Sequence, residues 1–177
     1  VIDQSTGEVK AIVGGRGDKT ASKTLNRATD TTRQPGSTFK ILAAYSAALD
    51  AGGLTLASVQ DDAPYTYAGA NGKSVNNYDR RYRGFTTLRE AITDSINIVT
   101  VKTLAQAGVS LGWQYVQEYG FTTVDSRDMN EALALGGITQ GVSNLELTAA
   151  YAAIANQGTY IRPKFYTKIL DHDGNVL

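Results

Sequence analysis

Pro35-Gly36-Ser37-Thr38-Phe39-Lys40-Ile41-Leu42-Ala43-Ala44-Tyr45-Ser46-Ala47-Ala48-Leu49 decides how the rest of this chain is read. Pro35 restricts its own backbone and Gly36 tolerates almost any conformation, so the pair stops what precedes and starts something new. Phe39, Ile41, Leu42, Tyr45, Ala48 and Leu49 then recur at helical spacing. The pattern predicts a buried or half-buried helix over 37–49. Its alanines, Ala43, Ala44, Ala47 and Ala48, let neighbouring elements approach closely.

Working outward, the chain before this helix reads as strand and loop. Residues 1–4 and 9–13 are short apolar runs around Ser5-Thr6-Gly7-Glu8, which predicts a β-hairpin. Residues 19–34 are polar without a clean period and read as loop. After the helix, 50–85 is rich in Gly, Asn, Asp and Tyr and reads as irregular loop with a small hairpin.

Helices follow. Thr87-Leu88-Arg89-Glu90 is a capping box, because a Thr hydroxyl and a Glu three residues later satisfy each other's free backbone donors. It opens a helix to about 94. A second helix runs from about 97 to 107 and ends near Gly108, and a third runs from 111 to 119 and is closed by Gly120. Ser143-Asn144-Leu145-Glu146 is another capping box, opening an Ala-rich helix to about 156 that Gly158 closes. Residues 161–170 alternate loosely and read as a strand. The order predicts a mixed α/β (α+β) domain with an antiparallel sheet and a helical cluster. Trp113 and Tyr115 read as core, Asp3, Asp18 and Asp61 as turn or cap residues, Glu131 as a loop charge and Glu146 as a helix cap.

Composition narrows the chemistry. With 177 residues and 42 % apolar content, one sizeable domain can bury a core. Lys plus Arg and Asp plus Glu are 17 each, and no basic block occurs, so there is no case for nucleic acid as a partner. Cysteine is absent, which removes disulfides, a thiolate zinc site and a cysteine nucleophile. The one histidine, His172, sits in Asp171-His172-Asp173-Gly174-Asn175, a turn sequence at an expected hairpin tip and a poor place for a catalytic triad. The carboxylates are scattered, so neither metal nor cofactor is expected. No run reaches the roughly 18 apolar residues of a membrane helix. Both ends are abrupt, mid-strand in character, and suggest a piece of something longer.

Ser37 and Lys40 are the candidate catalytic pair. A serine hydroxyl is a weak nucleophile and needs a base within hydrogen-bond reach. Three residues apart at a helix start, the lysine can fold back onto the hydroxyl. Free backbone amides there favour a developing oxyanion. Apolar neighbours such as Phe39 and Ile41 would stabilise a neutral lysine. With ten serines and eight lysines in the chain, the spacing alone is common by chance. Its placement after Pro35-Gly36 carries the weight.

Ser-x-Asn occurs twice, as Ser74-Val75-Asn76 and Ser95-Ile96-Asn97. The first lies in a polar loop with Asn71, Gly72 and Asn77, where turn formation explains it. The second lies between two helices and is bracketed by Ile92, Ile98 and Val99. Polar groups at an apolar junction need partners, and a cleft facing Ser37 would supply them. Ser95 could relay a proton to a leaving amine, and Asn97 could hold Lys40 and a substrate amide.

These residues resemble a known family. Ser-x-x-Lys and Ser-x-Asn belong to the signature of penicillin-binding proteins and class A β-lactamases. Asn26-Arg27-Ala28-Thr29 and Arg33-Gln34-Pro35-Gly36-Ser37-Thr38-Phe39-Lys40 resemble the nucleophile block of class A (bifunctional) penicillin-binding proteins. Asn77-Tyr78-Asp79, Tyr82-Arg83-Gly84 and Thr87-Leu88-Arg89-Glu90-Ala91 resemble a second block. Leu133-Ala134-Leu135-Gly136-Gly137, followed by Leu145-Glu146-Leu147-Thr148, resembles a third.

The resemblance implies a DD-transpeptidase domain of the serine β-lactamase-like fold. Ser37 would attack the D-Ala-D-Ala bond of a peptidoglycan stem peptide, Lys40 would act as base, Ser95 would shuttle the proton and Asn97 would bind substrate. β-Lactams would acylate the same serine. The expected location is the extracytoplasmic face of a bacterial cell membrane. The third signature motif, Lys-Thr-Gly, occurs nowhere in the 177 residues. Residues 1–177 therefore read as a partial transpeptidase domain whose C-terminal strands are missing. The rest of the same polypeptide, including a glycosyltransferase domain, or a second chain would complete the site, and the piece alone would be a poor catalyst. A β-lactamase or β-lactam sensor is the alternative, although no Glu-x-x-Leu-Asn stretch supplies a deacylating carboxylate. A non-enzymatic cell-wall binding module would use Tyr65, Tyr67, Tyr78 and Tyr82, which otherwise read as packing for a polar loop.

Overall fold

The computed structural model describes residues 1–18, 20–68 and 72–177. Asn71, read as a turn former, lies outside them. The chain divides into two compact units, Arg33–Val142 and a second built from Val1–Thr32 with Ser143–Leu177.

The unit Arg33–Val142 is the helical cluster. Its central helix is less regular than its periodicity predicts. A 3₁₀ turn, Gly36–Thr38, and a short α-helical step at Phe39 and Lys40 precede a π segment, Ile41–Tyr45, and Ser46–Asp50 (α1) completes the helix. At the end of the π segment both the backbone amide and the Oγ of Ser46 donate to the Ile41 carbonyl, five residues back. Such segments concentrate at functional sites. The four alanines are fully buried, as expected. Ala43 lies so close to the next layer that a Cβ on Gly112 would stand 2.4 Å from its carbonyl oxygen. Phe39 meets Phe121 edge-on, with ring centroids 5.1 Å apart.

Around this helix stand α2 (Leu88–Thr93), α3 (Asn97–Ala107) and α4 (Val109–Glu118). The Thr87 capping box forms as read, with Glu90 N donating to Thr87 Oγ1 and Thr87 N donating to the Glu90 carboxylate. Gly108, at φ +105°, ends α3 and leads directly into α4, so α4 starts two residues earlier than its pattern indicates. Tyr45, Leu88, Ala91, Ile96 and Val99 form a buried cluster where α2 and α3 meet the central helix.

The loop expected over 50–85 is more ordered than its composition implies. After the short strand Thr32–Arg33 (β1), Val59–Asp62 (β2) pairs antiparallel with Gly84–Thr87 (β5), and Tyr65–Thr66 (β3) pairs antiparallel with Ser74–Val75 (β4). The antiparallel component of the fold is therefore present as short two-stranded ladders. Trp113 and Tyr115 are half-buried rather than core: Trp113 Nε1 reaches the Asp125 carbonyl, and Tyr115 donates to Asp50.

In the other unit the Ser143 capping box opens α5 (Asn144–Ala155). The expected N-terminal hairpin is reduced to one antiparallel bridge, Ile2 to Val9, and Asp3 caps its turn through Ser5. The strand expected over 161–170 does not form. Alternation needs a neighbouring strand to take its hydrogen bonds, and here the segment finds only single bridges, Lys164 to Glu8 and Leu170 to Val176. His172 is exposed in the turn that follows and lies beside Asp173.

Candidate active site

Lys40 sits at the junction of the 3₁₀ turn and the π segment and is 3 % exposed. Its Nζ donates to the Ser95 carbonyl at 2.6 Å, to Ser95 Oγ at 2.9 Å and to Asn97 Oδ1 at 2.6 Å. An ammonium has three donors, and all three are used. None of the ion pairs among the described residues involves Lys40. Burial without a counter-charge disfavours the charged form and pulls its pKa down to about 8. About a tenth of the lysine is then neutral at pH 7.

Ser95 and Asn97 reach this lysine from the α2–α3 junction. Ile96, 2 % exposed, anchors the junction in the core and leaves its two neighbours facing outward. Ser95 takes a left-handed backbone, φ +52°, which turns both its carbonyl and its hydroxyl toward Lys40. Asn97, the first residue of α3, accepts from Lys40 through Oδ1 and donates through Nδ2 to the Asn76 carbonyl at 2.7 Å.

Ser37 lies in the 3₁₀ turn, exposed, three residues ahead of Lys40. The expected contact between the two is not made: the ammonium points instead to Ser95 and Asn97. Its three donors are already taken by the Ser95 carbonyl, Ser95 Oγ and Asn97 Oδ1, which leaves none for Ser37 Oγ. The structure thus brings Lys40, Ser95 and Asn97 into one hydrogen-bonded group and places Ser37 at the solvent-facing turn beside it in sequence. Of the other Ser-x-Asn, Ser74 and Val75 form β4, and Asn76 contributes only its carbonyl to the site.

Sequence reasoning missed three residues around this group. Asp62 and Asn77 are buried and hydrogen-bonded to each other, and Arg83 pairs with Asp79 at 3.0 Å and approaches Asp62 at 3.8 Å. The turn-rich composition of the segment hid them, although Asn77 and Arg83 each stand in a family-like block. Glu131 is likewise no loop charge. It is 8 % exposed and accepts from Tyr65 Oη and Ala68 N, both at 2.9 Å. Burial, with the Glu131 carboxylate beside it, pushes the Tyr65 pKa up to about 12. Tyr65 and Tyr67 pack as read, whereas Tyr78 is wholly exposed and Tyr82 half so. Among the described residues no cluster of three or more His, Asp or Glu could hold a metal ion.

Comparison with known proteins identifies the family. The profile of the penicillin binding protein transpeptidase domain matches residues 1–176. Penicillin-binding protein 1F of Bacillus subtilis is 43 % identical over 176 residues, covering 99 % of this chain and 23 % of the relative. The crystal structure of penicillin-binding protein 1A from Haemophilus influenzae superposes with a TM-score of 0.74 at 34 % identity, covering 88 % of this chain and 23 % of that one. The fold also matches PonA1 of Mycobacterium tuberculosis, solved in complex with penicillin V, with a TM-score of 0.82 at 24 % identity, covering 99 % of this chain and 47 % of that one. The chain spans about a quarter of the length of the curated relative it matches. It belongs to the penicillin-binding protein transpeptidase domain family.

Proposed function

We propose that this chain carries the nucleophile half of an acyl-serine DD-transpeptidase site. The observation that carries the reading is Lys40: a buried lysine with no carboxylate partner among the described residues, its pKa about 8, one turn after an exposed serine. When Lys40 is neutral, two N–H groups still serve the Ser95 carbonyl and Asn97 Oδ1. Its lone pair is then open to a hydroxyl proton from Ser37 or Ser95.

Ser37 Oγ attacks the carbonyl carbon of the penultimate D-Ala of a stem peptide, and its proton passes to Lys40. The C–N bond breaks, Ser95 returns a proton to the leaving amine, and the terminal D-Ala departs. The acyl-enzyme is resolved when the amine of a second stem peptide attacks the ester carbonyl: the new C–N bond replaces the C–O bond to Ser37, and the proton lost by the amine returns to Ser37 Oγ. Asn97 holds Lys40 in place and presents its amide to the substrate. β-Lactams open on the same serine. The oxyanion-side wall, with a Lys-Thr-Gly strand, comes from further segments of the polypeptide or a second chain. Residues 1–177 alone are then a partial domain and a poor catalyst, since one lost oxyanion donor costs about 3–4 kcal/mol of barrier. The reaction belongs to the extracytoplasmic face of the bacterial membrane; among the described residues no helix is long and apolar enough to cross it.

Fluorescent penicillin tests the reading. The full-length protein should take covalent label, and its Ser37→Ala variant should take none. Equal labelling of the Ser37→Ala protein would defeat the proposal. An acyl-enzyme that turns over within seconds would point instead to a β-lactamase.

A further inference from the structure

Asn77 is 4 % exposed and Asp62 is wholly buried. Asn77 Nδ2 donates to both carboxylate oxygens of Asp62, at 2.8 and 3.0 Å, and to the Arg81 carbonyl at 2.8 Å. Its Oδ1 accepts from the backbone amide of Ile98, at 3.2 Å, in the first turn of α3. The carbonyl just before it, that of Asn76, accepts from Asn97 Nδ2. One dipeptide therefore grips α3 at two adjacent residues, and the second of these bonds orients the amide that faces Lys40.

Neither amide can turn over. A reversed Asn77 would set its NH₂ against the Ile98 N–H and its oxygen against the Asp62 carboxylate. A reversed Asn97 would set its NH₂ against the Lys40 ammonium and its oxygen against the Asn76 carbonyl. Each wrong orientation puts like against like, and at the buried Asn77 unpaired polar groups are costly. Asp62 is itself fixed, since it also accepts from Arg83 N at 2.9 Å.

We propose that Asp62 and Asn77 are positioning residues of the acyl-transfer site. The buried carboxylate sets the Asn77 amide, and Asn77 sets the start of α3, so that Asn97 presents its oxygen to Lys40. This inference rests on the role proposed above for Lys40.

The test is the rate of acylation by fluorescent penicillin, resolved into the binding constant and the first-order acylation step. The rate constant is read only from molecules that label, so unfolded protein drops out. Asn77→Asp keeps the shape and the acceptor for Ile98 N but turns an acceptor toward Asp62. The acylation step should slow by about tenfold or more, as small misplacements of catalytic groups do, with penicillin binding unchanged. Adding Asp62→Asn restores a donor opposite an acceptor and should recover part of the loss. If Asn77→Asp acylates at the parent rate, the proposal is overturned. It is also overturned if both proteins lose labelling only in step with their folded fraction, since the pair is then a support for the fold alone. Labelling that survives Ser37→Ala would instead remove the underlying reading, so the two failures are distinct.

Discussion

The Cβ that Gly136 lacks would stand 2.6 Å from the backbone nitrogen of Gly36 and 2.7 Å from its oxygen. Gly36 opens the 3₁₀ turn that carries Ser37, and Gly136 ends a 3₁₀ run, Glu131–Leu135, at φ +72°. The two backbones touch with no side chain between them. Beside them the Gln34 side-chain amide pairs with both backbone groups of Ile138. The serine turn is thus seated on a second loop rather than held by its own helix.

Gly136→Ala should therefore injure acylation more than it injures the fold. The new methyl meets backbone, which cannot rotate away, and the left-handed conformation disfavours alanine. We expect a loss of stability of about 1–3 kcal/mol and penicillin acylation slowed by about 100-fold in the protein that remains folded. Urea unfolding and labelling kinetics on the same sample measure the two.

Acylation should depend on pH through Lys40. Its folded pKa of about 8 means that the neutral base is scarce at pH 6 and dominant at pH 9. The second-order rate constant with a penicillin should rise by about tenfold per pH unit below that midpoint and level off above it. A profile flat between pH 6 and 9 would remove Lys40 as the base.

The same shift has a sign in stability. Lys40 loses its proton near pH 8 when folded and near 10.5 when unfolded. Between those values the unfolded chain binds more protons, so raising the pH stabilises the folded state. Below pH 8 the full cost of burying the charge applies, about 3 kcal/mol. Against Lys40→Met, which never bears that charge, the parent should gain about this much in relative stability between pH 8 and 10.5. Equilibrium unfolding of both proteins at the two pH values checks it.

Thr87→Ala should separate folding from chemistry in the other direction. It removes the side-chain acceptor for Glu90 N and the partner of the Glu90 carboxylate at the start of α2. The loss should be about 1 kcal/mol, with the acylation rate per folded molecule unchanged.

Local rules written into adjacent residues were legible. Two capping boxes and the bounds of α3 stand where Thr87, Ser143 and Gly108 put them, because a cap or a stop is decided within four residues. Lys40, Ser95 and Asn97, singled out from their motifs, meet in space. What could not be read depends on partners far along the chain. Asp62, at the end of β2, meets Asn77 fifteen residues further on, in the loop that leads toward β5. Residues 161–170 alternate like a strand yet have no strand beside them. The π segment arises where Ser46 bonds back to Ile41, a choice that apolar periodicity does not record.

Ser95 is a serine held where a glycine would rest more easily. A left-handed backbone costs a side-chain-bearing residue about 1 kcal/mol, while the Ser95 hydroxyl satisfies one donor of the buried Lys40 ammonium, a bond worth about as much or more. The strained turn is thus held by the bonds it makes, and a substitution at Ser95 disturbs the backbone and the buried lysine together.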